Sequence, residues 1–356
     1  MEANQENQQI AVTVSVFLNT SFLILTVAGN FLVLLVLGRA CQLRAPVRLL
    51  LANLAVPDLV LGGFVLPYVV HTSLNGSTES TNENSRDYSN SEGFCQAVGF
   101  IRVLCLAGSS FTLFALSYER YVAIAYPFKH MYLISVETVL KYALVIWILA
   151  ALVAVLPFLG LGQYRYSPHQ FVCWPEGNTF NLVFFFVVFC TTLFTMVFLY
   201  LCIFRAVRKR RSIIHALVIR IAQGFTGQKV EKFRATTTIS LVLGIYSLTW
   251  APFCFTHVFS IHSSASTPMI TTQMLTTCLL YANSACNPWI YCGLNAKFRE
   301  TFKKTARSCW KWVRVVFSAP TFVDTNRTSV DNPLNIRVVV IKPTNTSQLN
   351  TEIRLA

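Results

Sequence analysis

Residues 142–161 read YALVIWILAALVAVLPFLGL and contain no charged side chain. About 20 apolar residues in an α-helix cross the ~30 Å hydrocarbon core of a bilayer. A membrane span must satisfy its own backbone hydrogen bonds, so this run predicts a helix. It lies within one of seven apolar stretches, near residues 10–38, 47–71, 95–125, 139–162, 179–204, 235–261 and 270–293.

The whole chain shares this apolar character. Of its 356 residues, 54% are hydrophobic and 12% are charged, whereas soluble domains carry about 25% charged residues. We therefore predict an all-α membrane protein, a seven-transmembrane helix bundle. The predicted parts are an extracellular N-terminus (1–9), the bundle (10–293), an amphipathic segment (294–307) and a disordered cytoplasmic tail (308–356).

The distribution of positive charge predicts the orientation. The net charge of +14 could indicate nucleic acid, but only Arg86 and Arg165 lie in even-numbered loops, and Arg102 lies within a span. The other Lys and Arg residues lie in odd-numbered loops, at adjoining helix ends or after the seventh span, which is the positive-inside pattern. We expect a multi-pass protein of the plasma membrane, with its N-terminus outside, its C-terminus in the cytoplasm and no nucleic-acid partner.

Three covalent modifications follow from this orientation. Asn75-Gly76-Ser77 is a glycosylation sequon in a predicted extracellular loop. Of the 11 cysteines, only Cys95 and Cys173 are placed on the oxidising outer side, so we expect a disulfide between them. Cys309 follows a basic amphipathic stretch and suits palmitoylation.

Short polar or proline-containing motifs recur within the spans, and each is weak by itself. A charged patch at a helix end is usually an interfacial anchor, and Asn-Pro in a span is usually a kink. In chain order they are Gly29-Asn30, Leu54-Ala55-Val56-Pro57-Asp58, Glu119-Arg120-Tyr121, Trp147, Thr249-Trp250-Ala251-Pro252-Phe253 and Asn287-Pro288-Trp289-Ile290-Tyr291. Their joint occurrence, in order and in the matching spans, resembles the rhodopsin-like (class A) G-protein-coupled receptors over residues 10–307. The resemblance implies that residues 294–307 form a short amphipathic eighth helix.

The resemblance implies a sodium site at Asp58, an ionisable residue in the middle of a span. Such residues are costly in a membrane and usually functional, although Asp58 could also be satisfied by its neighbours and serve packing alone. The matching positions carry side-chain oxygens, which suit a hard cation. They are Asn30, Ser109, Asn283, Ser284 and Asn287.

The resemblance also implies an activation switch. Arg120 matches the arginine that pairs with the adjacent acid, here Glu119, and is released to meet the G protein. Many relatives carry a second acid at the position of Lys232, and its absence predicts weaker restraint and higher basal activity. The other switch positions are Tyr121, Tyr200, Trp250, Pro252, Pro288 and Tyr291.

The loop after the third span is predicted to contact the G protein. Pro127 and Phe128 match the segment that presses an apolar side chain into the Gα subunit. Phe128 could instead be an aromatic anchor at the membrane interface.

The middle of the bundle departs from the family. Thr192 stands where relatives usually have proline, and Ser110 and Tyr246 replace an apolar residue and a phenylalanine. We expect these three polar side chains to form a hydrogen-bonded cluster that takes part in switching.

Arg102 is predicted to face the ligand pocket. It follows Cys95 by seven residues, which is two helical turns or roughly 10 Å, so both residues lie on one face. Amine receptors hold an acid at this position, and arginine reverses the charge. The other pocket positions are Leu106, Phe184, Val188, Phe189, Trp250, Phe253, His257, Thr277 and Tyr281.

An apolar cleft with one cation suits an amphipathic anion. Alternatively, Arg102 extends upward and pairs with Glu176 in the next loop. Tyr281 occupies the place of the retinal-binding lysine of visual pigments, so no retinal cofactor is expected.

These observations predict a receptor that binds an extracellular small ligand and activates a heterotrimeric G protein. A transporter or channel is the alternative, although the chain shows no internal repeat and few intramembrane charges. No arrangement of catalytic residues indicates an enzyme. The tail offers kinase sites that could recruit arrestin, or else plain linker residues, at Ser318, Thr321, Thr325, Thr328 and Ser329.

Overall fold

The computed structural model describes residues 2–39, 43–78, 92–167, 170–218, 227–259, 267–294 and 296–318. Side chains are described over most of these ranges but not at 2–8, 75–78, 210–218, 227–241, 259, 267–270, 294, 296–297, 312 and 315–318. The α-helices are α1 (Glu2–Gly38), α2 (Ala45–Val60), α3 (Leu66–Thr78), α4 (Glu92–Ala125), α5 (His130–Leu133), α6 (Val136–Val155), α7 (Asn178–Phe184), α8 (Thr191–Val218), α9 (Gly227–Phe259), α10 (Thr267–Leu294) and α11 (Ala296–Ser318).

Each of the seven predicted spans coincides with a helix or with a short series of helical segments. The second span comprises α2, a π-helical turn at Leu61–Val65 and α3, and the fifth comprises α7, a π-helical turn at Phe185–Cys190 and α8. Five spans are long and apolar enough to cross a membrane within the described residues, and α9 has a shorter apolar segment at Val242–Val258. The prediction of an all-α bundle is confirmed.

The ends of the bundle differ from the predicted boundaries. Helix α1 begins at Glu2, so most of the predicted N-terminal segment 1–9 is helical. Helix α11 continues to Ser318, so residues 308–318, predicted as part of a disordered tail, are helical as well. Neither Gly nor Pro interrupts this stretch before Pro320, and its basic and apolar residues keep a helical spacing. The predicted tail from residue 319 onward lies outside the described residues.

Helix α4 is the centre of the bundle and packs against α2, α6 and α8. Its buried residues run from Cys95 to Val122, over almost its whole length. Helix α1 packs mainly against α10, where an added side-chain carbon on Gly29 would lie 2.8 Å from Cγ of Pro288. A larger residue at Gly29 would therefore separate these two helices.

A two-stranded hairpin closes one end of the bundle. Strands β1 (Gln163–Ser167) and β2 (Val172–Glu176) are antiparallel, with Tyr166 opposite Cys173. A disulfide joins Cys173 to Cys95 at the start of α4, which confirms the predicted pair. The hydroxyl of Tyr164 donates a hydrogen bond to the carbonyl of Ala154 at 2.7 Å, and burial raises the pKa of this phenol. We call this end the hairpin end and the opposite one the Arg120 end.

Candidate functional site

Arg102 is fully buried beneath the hairpin, with an exposed fraction of 0%. Its guanidinium carbon lies 4.7 Å from the ring centre of Trp174, 5.6 Å from that of Tyr281 and 5.8 Å from that of Phe253. In the part of the chain that the structure describes, its three guanidinium nitrogens have no hydrogen-bond partner. Aromatic faces attract a cation. They do not replace the hydrogen bonds to water that the five N–H donors of the Arg102 guanidinium lose on burial.

The structure contradicts the alternative pairing of Arg102 with Glu176. The Glu176 carboxylate is largely exposed and lies 3.7 Å from Nε of Arg165. Both residues belong to the hairpin, which brings them together across its strands. Arg102 is therefore left without an acid among the described residues.

The ring of Trp174 covers the guanidinium of Arg102. The sequence analysis did not identify this residue as part of the site. Its indole N–H donates to Oδ1 of Asn181 at 2.9 Å, and its ring packs edge-on against Phe184 and Phe253, with centres 5.2 and 5.4 Å away. The available signal was its position next to Cys173, because the disulfide ties that strand to the top of α4.

The predicted pocket residues converge in the same region, and all are buried. They are Arg102, Leu106, Phe184, Val188, Phe189, Trp250, Phe253, His257, Thr277 and Tyr281. Besides Arg102, the indole nitrogen of Trp250 and the hydroxyls of Thr277 and Tyr281 lack partners of hydrogen-bond geometry among the described residues, although the Tyr281 hydroxyl lies close to the Arg102 guanidinium. All four side chains can donate hydrogen bonds. This group of buried side chains therefore combines apolar surroundings with unused donors.

His257 links the pocket to the hairpin end. Its Nδ1 lies 3.0 Å from the carbonyl oxygen of Phe253, and its Nε2 lies 3.3 Å from Oε1 of Gln170. Gln170 in turn donates to Oε1 of Gln273 at 3.0 Å. These contacts join α9 and α10 through the loop between β1 and β2.

Asp58 lies at the centre of a second polar site. Its Oδ1 accepts a hydrogen bond from Ser109 at 3.0 Å, and its Oδ2 accepts one from Asn287 at 2.7 Å. Asn30 donates to the backbone carbonyl of Ser284 at 3.1 Å, and Asn283 is buried. Within the described ranges, no Lys, Arg or His forms an ion pair with Asp58.

This chemistry fits a monovalent cation. A buried carboxylate without a counter-charge is unfavourable. The surrounding hydroxyl, amide and carbonyl oxygens are the ligands that hard cations prefer.

Two of the three residues of the predicted polar cluster in the middle of the bundle, which we call the connector, are in contact. The hydroxyls of Ser110 and Tyr246 are 3.3 Å apart, and Tyr246 also donates to the carbonyl of Val188 at 3.5 Å. Val188 belongs to the π-helical turn of the fifth span, where the helix breaks its usual hydrogen-bond pattern. The Thr192 hydroxyl is buried and lies close to the Tyr246 hydroxyl, but it has no partner of hydrogen-bond geometry among the described residues.

At the Arg120 end, Glu119 binds two neighbours. Its Oε2 lies 3.3 Å from Nε of Arg120, and its Oε1 lies 2.9 Å from Nε2 of His130. Nη1 of Arg44 reaches the same imidazole at 2.8 Å from Nδ1. The sequence indicated the pair Glu119–Arg120 but neither His130 nor Arg44.

The remaining predicted signalling residues are placed as follows. Pro127 and Phe128 are exposed in the turn after α4, and Tyr121 packs against Tyr126 with ring centres 6.0 Å apart. Tyr291 is half-buried with its hydroxyl oxygen fully buried, and its ring lies 6.1 Å from that of Phe298. Tyr200, Trp250, Pro252 and Pro288 lie on α8, α9 and α10.

For several predicted positions the structure does not describe the side chain. The side chains of Asn75, Lys232 and Ser318 lie outside the described residues, as do Thr321, Thr325, Thr328 and Ser329. Cys309 is half-buried on α11 with a free thiol.

Comparison with known proteins agrees with this architecture. The family described as "7 transmembrane receptor (rhodopsin family)" matches residues 29–291. The histamine H2 receptor of Canis lupus familiaris is 27% identical over 302 residues, which cover 83% of this chain and 80% of that receptor. Melatonin receptor type 1A of Ovis aries is 26% identical over 288 residues, which cover 79% of this chain and 74% of that receptor. The chain therefore belongs to the rhodopsin family of seven-transmembrane receptors and is a ligand-binding G-protein-coupled receptor.

Proposed function

We propose that this receptor responds to an amphipathic anion whose acidic group binds Arg102. The observation that supports this ligand class is the set of unpartnered guanidinium nitrogens in a buried, aromatic pocket. A carboxylate or phosphate accepts two parallel hydrogen bonds from a guanidinium. The hydroxyls of Tyr281 and Thr277 supply further donors, and the surrounding aromatic rings bind the apolar body of the ligand.

The ligand differs in charge from that of the histamine H2 receptors. Histamine carries an ammonium group at neutral pH, and Arg102 would repel it in a medium of low dielectric constant. Melatonin is uncharged, so it would suit the aromatic lining but would leave the Arg102 donors unpaired. An anion satisfies both features of the pocket.

Binding is coupled to the interior through a stack of aromatic rings. Phe184 stacks on Trp250 at 6.1 Å, and Trp250 stacks on Tyr246 at 5.3 Å. A ligand that displaces Trp174 from Arg102 moves the top of this stack, and Tyr246 transmits the change to Ser110 and the π-helical turn. The ligand thereby shifts the population toward the state that activates the G protein.

The orientation follows the distribution of basic residues. The hairpin end faces the outside of the plasma membrane, and the Arg120 end faces the cytoplasm, where Arg120, Pro127 and Phe128 contact the G protein. Phosphorylation of the tail by a receptor kinase recruits arrestin. Asn75 is glycosylated, and Cys309 is palmitoylated on the inner leaflet. The family match gives no support to the alternative of a transporter or channel.

A sodium ion is the proposed allosteric cofactor. Asp58 and Ser109 would hold it, with Asn30, Asn283, Ser284 and Asn287 completing the site. The cation would neutralise the buried carboxylate and so stabilise the inactive state.

Replacing Arg102 with Gln tests the ligand class. A charge-assisted hydrogen bond contributes about 1.5–3 kcal/mol, so we expect anionic ligands to lose about tenfold to a hundredfold in affinity. The measurement is a thermal-shift titration of the purified receptor with aromatic carboxylates, sulfonates and phosphates. Arg165→Gln, which removes an exposed arginine of the hairpin, should leave the affinities unchanged. Equal anion affinity for wild type and Arg102→Gln would remove Arg102 as the anchor.

Replacing Asp58 with Asn tests the sodium site. For wild type we expect sodium to raise Tm, and at tenfold the dissociation constant the stabilisation is about 1.4 kcal/mol. The variant should have the same Tm in sodium and in choline at equal ionic strength, because the carboxylate that binds the sodium ion has been removed. Glu137→Gln, at an exposed acid on α6, is the matched control. A sodium response that survives in Asp58→Asn would place the ion elsewhere.

Variants of Ser110 and Thr192 test the connector. Ser110→Ala removes the hydrogen bond to Tyr246, and such a bond contributes roughly 0.6 kcal/mol in a membrane protein. Because the resting state loses this stabilisation, we expect basal G-protein activation to rise about threefold. Thr192→Val removes a buried hydroxyl that lacks a partner of hydrogen-bond geometry, so it should stabilise the resting state and lower basal activation. The readout is agonist-free nucleotide exchange per receptor at the cell surface. Unchanged basal and stimulated signalling in both variants would mean that the cluster is only structural.

A further inference from the structure

The charge of Arg102 has no compensating acid among the residues that the structure describes. Its side chain is fully buried, and none of its guanidinium nitrogens has a partner of hydrogen-bond geometry there. A guanidinium keeps its proton in proteins, so Arg102 cannot avoid the cost of burial by becoming neutral. The site therefore needs an anion in the resting receptor as well, before any organic ligand arrives.

Hydroxyl groups of α10 lie beside this cation. The Tyr281 hydroxyl is close to the Arg102 guanidinium, and the Tyr281 ring centre is 5.6 Å from the guanidinium carbon. Thr277 precedes Tyr281 by four residues on α10, and residues four apart lie on the same face of a helix. Both hydroxyls are buried and lack partners of hydrogen-bond geometry in the described part of the chain. Two helices thus contribute hydrogen-bond donors to one corner, which is what an anion site requires.

The hairpin closes this corner and limits the size of its occupant. The ring of Trp174 lies 4.7 Å from the guanidinium carbon. The hairpin is fastened to α3, because Thr72 donates to the carbonyl of Phe171 at 2.8 Å and the Tyr68 hydroxyl lies 3.1 Å from Sγ of Cys173. An organic acid brings an apolar body and reaches the guanidinium only after Trp174 moves. A single ion needs no more than the polar corner itself.

The charge balance restricts the ion further. One negative charge compensates the one positive charge of Arg102, whereas a divalent anion would leave an excess negative charge in surroundings of low dielectric constant. Chloride is monovalent and monatomic, and it accepts hydrogen bonds from any direction. The hairpin end faces the outside of the cell in the proposed orientation, where chloride is abundant.

We propose that chloride binds between Arg102 and Tyr281 beneath the closed hairpin of the resting receptor, and that the acidic group of the ligand displaces it. The second part rests on the proposed function, because the displacing ligand is the amphipathic acid assigned to Arg102. Chloride thereby sets the ligand concentration to which the receptor responds.

A chloride titration of the purified full-length receptor in lipid nanodiscs, without any organic ligand, tests the site. Chloride replaces gluconate, whose hydroxyl-covered chain does not suit the aromatic rings, at constant sodium and constant ionic strength. We expect the Tm of the wild type to rise with chloride and to saturate, as for a bound ion, and Arg102→Gln to lose this rise. Arg165→Gln, at an exposed arginine of the hairpin, should respond as the wild type does. No rise in the wild type, or the same rise in Arg102→Gln, would overturn the proposal.

Replacing Tyr281 with Phe tests the second donor and also serves if Arg102→Gln fails to fold. A hydrogen bond to a charged partner is strong, so we expect the chloride concentration at the half-maximal rise in Tm to increase about tenfold. Tyr132→Phe, at a tyrosine that is exposed near the Arg120 end, is the matched control and should leave this concentration unchanged. A half-maximal concentration in Tyr281→Phe equal to that of the wild type would overturn the shared site.

Competition with an aromatic carboxylate tests the displacement. With chloride at tenfold its dissociation constant, we expect the apparent dissociation constant of indole-3-acetate to rise about tenfold in the wild type. The same affinity with and without chloride would overturn the displacement, yet Arg102 could still be shown to anchor the acid by the loss of affinity in Arg102→Gln. A receptor that binds chloride through Arg102 but none of the aromatic acids would support the chloride site and contradict the assigned ligand class.

Discussion

The hydrocarbon core of a bilayer offers no hydrogen bonds, and this constraint orders the whole structure. It makes each span a helix, because helices satisfy their own backbone groups. It also sorts the polar side chains within the spans. Asp58 is buried with donors from Ser109 and Asn287, and Ser110 is buried against Tyr246. Polar groups that stay unpartnered are costly in such an environment, so those beneath the hairpin are candidates for a ligand site.

Arg102 is the most costly of these groups. It is a permanent cation that is buried beneath a hairpin and surrounded by aromatic rings, with no acid beside it among the described residues. An aromatic cage often receives a cationic ligand, but here the protein supplies the cation itself. Trp174 covers the guanidinium at 4.7 Å, and an acidic ligand group that replaces Trp174 would exchange a weak contact for a bidentate one.

The sequence predicted the features that follow from composition and spacing. The seven spans follow from apolar length, the disulfide from the placement of Cys95 and Cys173, and the surroundings of Asp58 from the family pattern. The contacts made across loops could not be predicted. Trp174 reaches Arg102 only because the hairpin folds back over α4, and His130 meets Arg44 only after three elements pack together. The length of α11 was missed because a basic, aromatic stretch was assigned to the tail.

In the proposed function, the charge of Arg102 selects the ligand. Three compounds with one ring system and different charge, indole-3-acetate, indole-3-acetamide and tryptamine, test it most directly on the purified receptor. We expect thermal stabilisation to decrease in the order acid, amide, amine, with no stabilisation by the amine. In Arg102→Gln we expect this order to be lost. The proposal would be contradicted if tryptamine stabilised the wild-type receptor more than the acid and the amide did.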